Sequence, residues 1–212
     1  MKLNFKYDKE MDAFCIMNWG KGSNNSNNPT KTYTKLVQDL KNDPTKEETL
    51  HFIEGYIKSN SIDIDSFIKK AEEEYEEIEG EFHNIAKEVF GVSLKEEITA
   101  YLTINNRCPY RIKENWFFVS AVFDKPANIA MHELWHFYTW LKFGEQQDKI
   151  DKEKYNEIKE SLTVLLNEEC GHLMNGEDDG YPQHKELRKT IVNLWKEKKD
   201  IDYVWDSIIK IM

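Results

Sequence analysis

The sequence predicts an α+β protein in which helix predominates, with a small antiparallel or mixed sheet. Three observations predict it. Phe67, Ala71, Tyr75, Ile78, Phe82, Ile85 and Val89 recur at spacings of four and three, the single apolar stripe of one long helix. Ile98, Ala100, Leu102 and Ile104 alternate with Thr99, Tyr101 and Thr103, which is the period of a half-buried strand. From Pro126 to the end only helical periods remain, over about 126–144, 152–169, 183–199 and 201–211. Two regions are expected in one compact unit: 1–91, with a strand, a loop and helices, and 92–212, with the sheet and the later helices.

Each element has a local reason. The apolar run 13–17 reads as a short strand, followed by a polar loop over 20–29. Lys21 among glycines lacks the Walker spacing, so a connector is expected there. Residues 32–40 can form a short helix. Pro44 ends that element, and Thr45 with Glu48 forms a capping box for a helix to about residue 57. Asp65 or Ser66 is expected to cap the long helix, with Gly91 at its C-terminal cap. The glutamates opposite its apolar stripe, among them Glu72, Glu73 and Glu76, read as a solvated face. A turn at 105–109 leads to a second strand over 116–123, apolar on both faces and therefore covered. Pro126 suits the first turn of the next helix.

Composition narrows the function. The 212 residues carry 29 Lys and Arg against 39 Asp and Glu, a formal charge of −10. That balance argues against nucleic acid or an anionic membrane as the main partner, since both are polyanions. The longest apolar stretch falls far short of the roughly 20 residues that span a bilayer. The first ten residues hold charges and no apolar core, so no secretory signal is expected. Three cysteines, an odd number, fit free thiols in a reducing compartment, and the expected location is cytoplasmic.

The chemistry concentrates at 131–136. His132-Glu133-Leu134-Trp135-His136 is an H-E-x-x-H motif. On a helix the two histidines stand one turn apart on one face, so both imidazoles reach one tetrahedral metal ion. Glu133 sits about 100° round the helix. Apolar neighbours Ile129, Ala130, Met131, Leu134, Trp135, Phe137, Tyr138, Trp140 and Leu141 are expected to cover nearly every side of the helix, and a buried His pair with a carboxylate is costly unless hydrogen-bonded or metal-bound. A third protein ligand is needed, and the following helix offers Glu157, Glu160, Glu168 and Glu169.

The motif with a downstream glutamate resembles the gluzincin-type zincins, small zinc metallopeptidases with an HExxH helix and a Glu-ligand helix. The likeness covers about 92–170, a zincin-like core in strand, turn, strand, motif-helix, Glu-helix order. The metzincin pattern fails, because Thr139 stands where Gly is required and Lys142 where the third His would be. Glu160, followed by Ser161 and Thr163 in the small positions and then by an apolar run, matches the gluzincin Glu better than Glu157 of the Asn156-Glu157 pair, which remains the alternative.

The resemblance implies Zn²⁺ on His132, His136 and Glu160, a peptide or protein substrate, and Glu133 as general base toward a zinc-activated water. It implies an oxyanion donor downstream, for which Tyr181 and His184 are the candidates; both could equally be surface-turn residues. It also implies that the strand before the motif borders a cleft and accepts a peptide as an added strand. Arg188 is a candidate anchor for a substrate carboxylate, with surface Arg as the default, and His51, His83 and His172 fall outside the pattern. The alternative function is a metal-binding regulatory or interaction protein that keeps a zincin fold.

Overall fold

A computed structural model describes residues 1–19, 40 and 44–212. The expected loop at 20–29 and all but the last residue of the expected helix at 32–40 lie outside them. The protein is mostly helical with a small four-stranded mixed sheet. Two compact units alternate along the chain, 1–75 with 96–130 and 76–95 with 131–212, rather than dividing at residue 91.

The first unit holds the sheet, in the order β1-β2-β4-β3. β1 (Leu3–Tyr7), β2 (Ile98–Thr103) and β4 (Trp116–Ser120) run parallel, and β3 (Tyr110–Arg111) is antiparallel to β4. Phe5 pairs with Ala100, and Ala100 with Phe117. β4 is buried along its whole length, which is why it is apolar on both faces. It ends at Ser120 instead of 123 and lies between two neighbours. Phe118 N donates to Pro109 O at 2.9 Å, so the strand expected to accept a peptide already has partners on both sides over its first three residues.

The expected strand at 13–17 is instead part of helix α1 (Lys9–Trp19). A five-residue apolar run does not discriminate between the two periods. The buried positions Asp12, Ala13, Cys15 and Ile16 follow the helical one, and the Asp8 carboxylate accepts from Glu10 N at 2.9 Å and Met11 N at 3.3 Å at the helix start. α2 (Lys46–Ser59) begins with the expected capping box: Thr45 Oγ1 accepts from Glu48 N, and Glu48 Oε2 accepts from Thr45 N. Ala13 and Ile16 of α1 pack with Ile53 of α2 and Ile104, while Cys15 packs with Trp116 and Phe118. All three cysteines are free thiols.

Helix α3 (Ile64–Phe90) is capped by Asp63, whose Oδ1 accepts from Ser66 N at 3.0 Å, rather than by Asp65 or Ser66. Gly91, at φ 68°, ends it. The second unit takes the later part of α3 and most of α4 (Pro126–Phe143), where Phe90 meets Trp135 edge-on at 4.9 Å and stacks on Tyr138. Phe143 of α4 stacks on Trp205 of α8 (Ile201–Ile211) at 4.1 Å. The helix expected over 152–169 is interrupted, giving α5 (Lys152–Ser161) and α6 (Val164–Glu169), and α7 (Lys185–Glu197) packs against both. The Trp135 indole, from inside the motif, donates to the carbonyl of Leu162 at that interruption, at 3.1 Å. Among the described residues no helix is long and apolar enough to cross a membrane.

Candidate metal centre

α4 is buried on nearly every side, with Ala130, Met131, Leu134, Trp135, Phe137 and Tyr138 all in the core. Leu141, also expected to cover it, is 49% exposed. The helical repeat puts His132 and His136 on one face, His136 buried and the His132 side chain 24% exposed, with ring centroids 4.7 Å apart. The Trp135–Leu162 bond ties the end of α5 to the motif helix, and α5 delivers Glu160. One donor atom from each of His132, His136 and Glu160 lies within 4.8 Å of the others. Glu157 is not in that group. Glu168 pairs with Lys196, and Glu169 accepts from Trp195 and Lys199.

Two of the three ligand candidates, His132 and Glu160, have an orienting partner. Asp178 Oδ2 lies 2.5 Å from His132 Nδ1; a carboxylate only accepts, so Nδ1 carries the proton and Nε2 is left for a metal. Asp178 Oδ1 lies 2.9 Å from Arg188 Nη2 and 3.1 Å from Thr163 Oγ1. Arg188 Nη1 donates to Thr163 Oγ1 at 2.7 Å, and Nη2 also donates to the Asp178 carbonyl. Asn167 clamps the backbone of Asp178 at both its N–H and its carbonyl. Glu160 splits its oxygens: Oε2 is 3.5 Å from His136 Nε2, and Oε1 is 2.8 Å from Lys159 Nζ.

The electrostatics follow from this packing. Burial works against charge on His132, but the hydrogen bond and charge of Asp178, with Glu133 and Glu160, outweigh it and hold the imidazole up at about 9. Burial likewise opposes charge on Glu160, yet His136, Lys159 and His132 keep its carboxyl well below the usual range. Asp178 is held low against its burial by His132, Arg188 and Thr163. Glu133 goes the other way. Burial pushes it up to about 8, with the His132 charge pulling against and the charges of Glu160 and Asp178 adding. Glu133 is 6% exposed, and its Oε2 has no hydrogen-bond partner among the described residues.

These observations test the fit of a metal. Two imidazoles and one carboxylate within 4.8 Å form an N₂O donor set suited to zinc, and a buried carboxylate oxygen without a partner stands next to it in sequence and field. The residues fit the ion.

The downstream candidates separate. His184, in the turn Pro182–His184 that packs on α5, is buried, and its Nδ1 lacks a hydrogen-bond partner among the described residues. Burial lowers its pKa, and the charge of Glu160 is the largest influence opposing it, so it stands in the field of the centre. Tyr181 is 52% exposed and meets the His184 ring edge-on at 5.6 Å. Arg188 is not a substrate anchor: it is 6% exposed and its guanidinium is engaged by Asp178 and Thr163. His172 pairs with Glu81, His83 bonds the Tyr138 hydroxyl at 2.8 Å, and His51 is exposed. Asp178 and Lys159 were not legible as site residues. Asp178 sits in the run Glu177-Asp178-Asp179 with no spacing that marks it, although the only Lys-Glu step at a candidate ligand was Lys159-Glu160.

No family model, curated protein or solved structure matches the chain. The functional reading therefore rests on the residues of this centre.

Proposed function

We propose that the protein is a zinc-dependent peptide-bond hydrolase of the gluzincin type, with His132, His136 and Glu160 as metal ligands and Glu133 as general base. The observation that carries the reading is the convergence of the three donor atoms within 4.8 Å, beside a buried glutamate whose Oε2 has no partner. When bound, zinc supplies Lewis acidity, lowering the pKa of a water and polarising the scissile carbonyl. Glu133 takes the water proton at its carboxylate and passes it to the leaving amine. Its burial makes it a stronger proton acceptor than an exposed glutamate. Asp178 holds the His132 ring by Nδ1, so that Nε2 would be the atom offered to a metal. His184 donates to the developing oxyanion, with the Tyr181 ring edge-on to it at 5.6 Å.

The test is zinc content together with hydrolysis. One zinc per chain is expected, and Glu133→Gln should keep the zinc and lower hydrolysis by at least about a hundredfold. A purified chain that binds no stoichiometric zinc sinks the proposal. One observation favours a second reading, a metal-binding regulatory protein with little general peptidase activity. His136 is 1% and Glu133 6% exposed, although the His132 and Glu160 side chains are 24% and 20% exposed, so an extended peptide meets only part of the centre directly. Cleavage of generic peptides favours the first reading; stoichiometric zinc with no cleavage of them favours the second.

A further inference from the structure

The centre contains a cation that the proposed chemistry does not use. Lys159 is 5% exposed on the inward face of α5, between Ile158 and Glu160. Lysine is almost never buried unless paired. Its pair here is Glu160, one residue on, although adjacent residues on a helix do not face each other. Nζ nevertheless reaches Glu160 Oε1 at 2.8 Å. The other oxygen, Oε2, points to His136 Nε2, 3.5 Å away. The carboxylate is thus divided, with one oxygen on the lysine and one in the donor triad.

We propose that Lys159 is a positioning residue that restricts Glu160 to single-oxygen ligation and so keeps the centre at three protein donor atoms. This rests on the metal-centre reading above. A carboxylate with both oxygens available can bind one ion through both and fill a position that an open catalytic site needs for water. With Oε1 held by the ammonium, Glu160 contributes one donor, and the N₂O set stays suited to a small four-coordinate ion rather than a larger oxygen-seeking one.

The test replaces zinc by cobalt(II) in the whole chain, since cobalt's visible absorption weakens as its coordination number rises. Wild type is expected to give the strong band of a four-coordinate site. Lys159→Met, which keeps the length and apolar stem, should lose about half of that intensity as the second oxygen of Glu160 joins the ion. Lys159→Arg, which keeps a donor to Oε1, should retain the wild-type band. A methionine variant whose cobalt spectrum superimposes on wild type overturns the inference, as does an arginine variant that falls as far as the methionine one. X-ray absorption of the wild-type zinc protein needs no variant: one carboxylate oxygen at bonding distance supports the inference, and two overturn it. Wild type that binds neither cobalt nor zinc instead removes the metal-centre reading on which the inference stands, so the two failures are distinguishable.

Discussion

Asp178→Asn isolates the orienting carboxylate from the fold around it. Asp178 has two separate duties. Oδ1 faces Arg188 Nη2 at 2.9 Å and Thr163 at 3.1 Å, while Oδ2 faces His132 Nδ1 at 2.5 Å. The backbone is fixed independently by Asn167, so an amide should occupy the same place. A buried guanidinium requires an acceptor, so the amide oxygen stays on Arg188 and the NH₂ turns to His132. Nδ1 then has to accept, and the ring proton moves to Nε2, where a metal needs a lone pair. Loss of such an orienting partner costs about 10- to 100-fold in metal affinity, or about 1.4–3 kcal/mol. Zinc competition against a chromophoric chelator measures it, with circular dichroism to show that the variant is folded. Asp178→Ala differs: it leaves Arg188 buried without a carboxylate and should cost about 3–5 kcal/mol of stability as well. If the Asn variant holds zinc within about twofold of wild type, the tautomer argument is wrong.

Two further outcomes are expected. Burial pushes Asp12 from 3.8 up to about 6, against hydrogen bonds from Thr103 and Ile104. A raised carboxyl favours the folded state fully below its ordinary value, and that contribution, about 3 kcal/mol, is lost as pH rises through about 6. Asp12→Asn keeps the acceptor for Thr103 and Ile104, so relative to wild type it should gain about 3 kcal/mol between about pH 4 and 7 in urea titrations; a constant difference contradicts the assignment. Gly180→Ala puts a Cβ 2.5 Å from Arg188 Nη1 at φ +61°, which adds about 1–2 kcal/mol of backbone strain to a clash with the group that holds Asp178. It should lower both thermal stability and zinc affinity, and unchanged zinc affinity would separate Arg188 from the metal centre.

Legibility followed the range of the signals. The long helix, its terminal glycine, the capping box at Thr45 and the H-E-x-x-H pair were readable because each depends on residues within one or two helical turns. The five-residue run at 13–17 was not, since its helix is selected by what it packs on, Ile53 and Ile104, both far along the chain. β1 alternates Leu3, Phe5 and Tyr7 with Asn4 and Lys6, but a strand so short is specified by its pairing with β2. The interruption at Leu162 rests on a tryptophan 27 residues earlier. Asp178 follows the same rule. It is placed by Asn167, Thr163 and Arg188, none of which signals a metal centre alone. Glu160 is legible because it opens an apolar run, where a carboxylate needs a cation; Lys159, beside it, carries no pattern that separates it from a helix-surface lysine.

The same partners decide whether a metal at this centre serves architecture or chemistry. In a structural zinc site the ligands hold the fold only through the ion, and its removal unfolds the domain. Here the buried carboxylates have other means of satisfaction. Asp178 is paired with Arg188 at 2.9 Å, and Glu160 with Lys159 at 2.8 Å. Burial pushes Glu133 up to about 8, so it takes up a proton more readily than it persists as an unpaired buried charge. No one of the three is stranded as an uncompensated buried charge when metal is absent, so the costly state that would unfold the protein does not arise. Chelation should therefore leave the far-ultraviolet dichroism intact and lower the melting temperature only by the linkage expected of a lost ligand. Cooperative loss of helix on chelation at 25 °C would make the ion structural and remove the argument for hydrolysis. Retention of the fold means that the paired charges hold a vacant triad ready, which is what an ion used for chemistry requires.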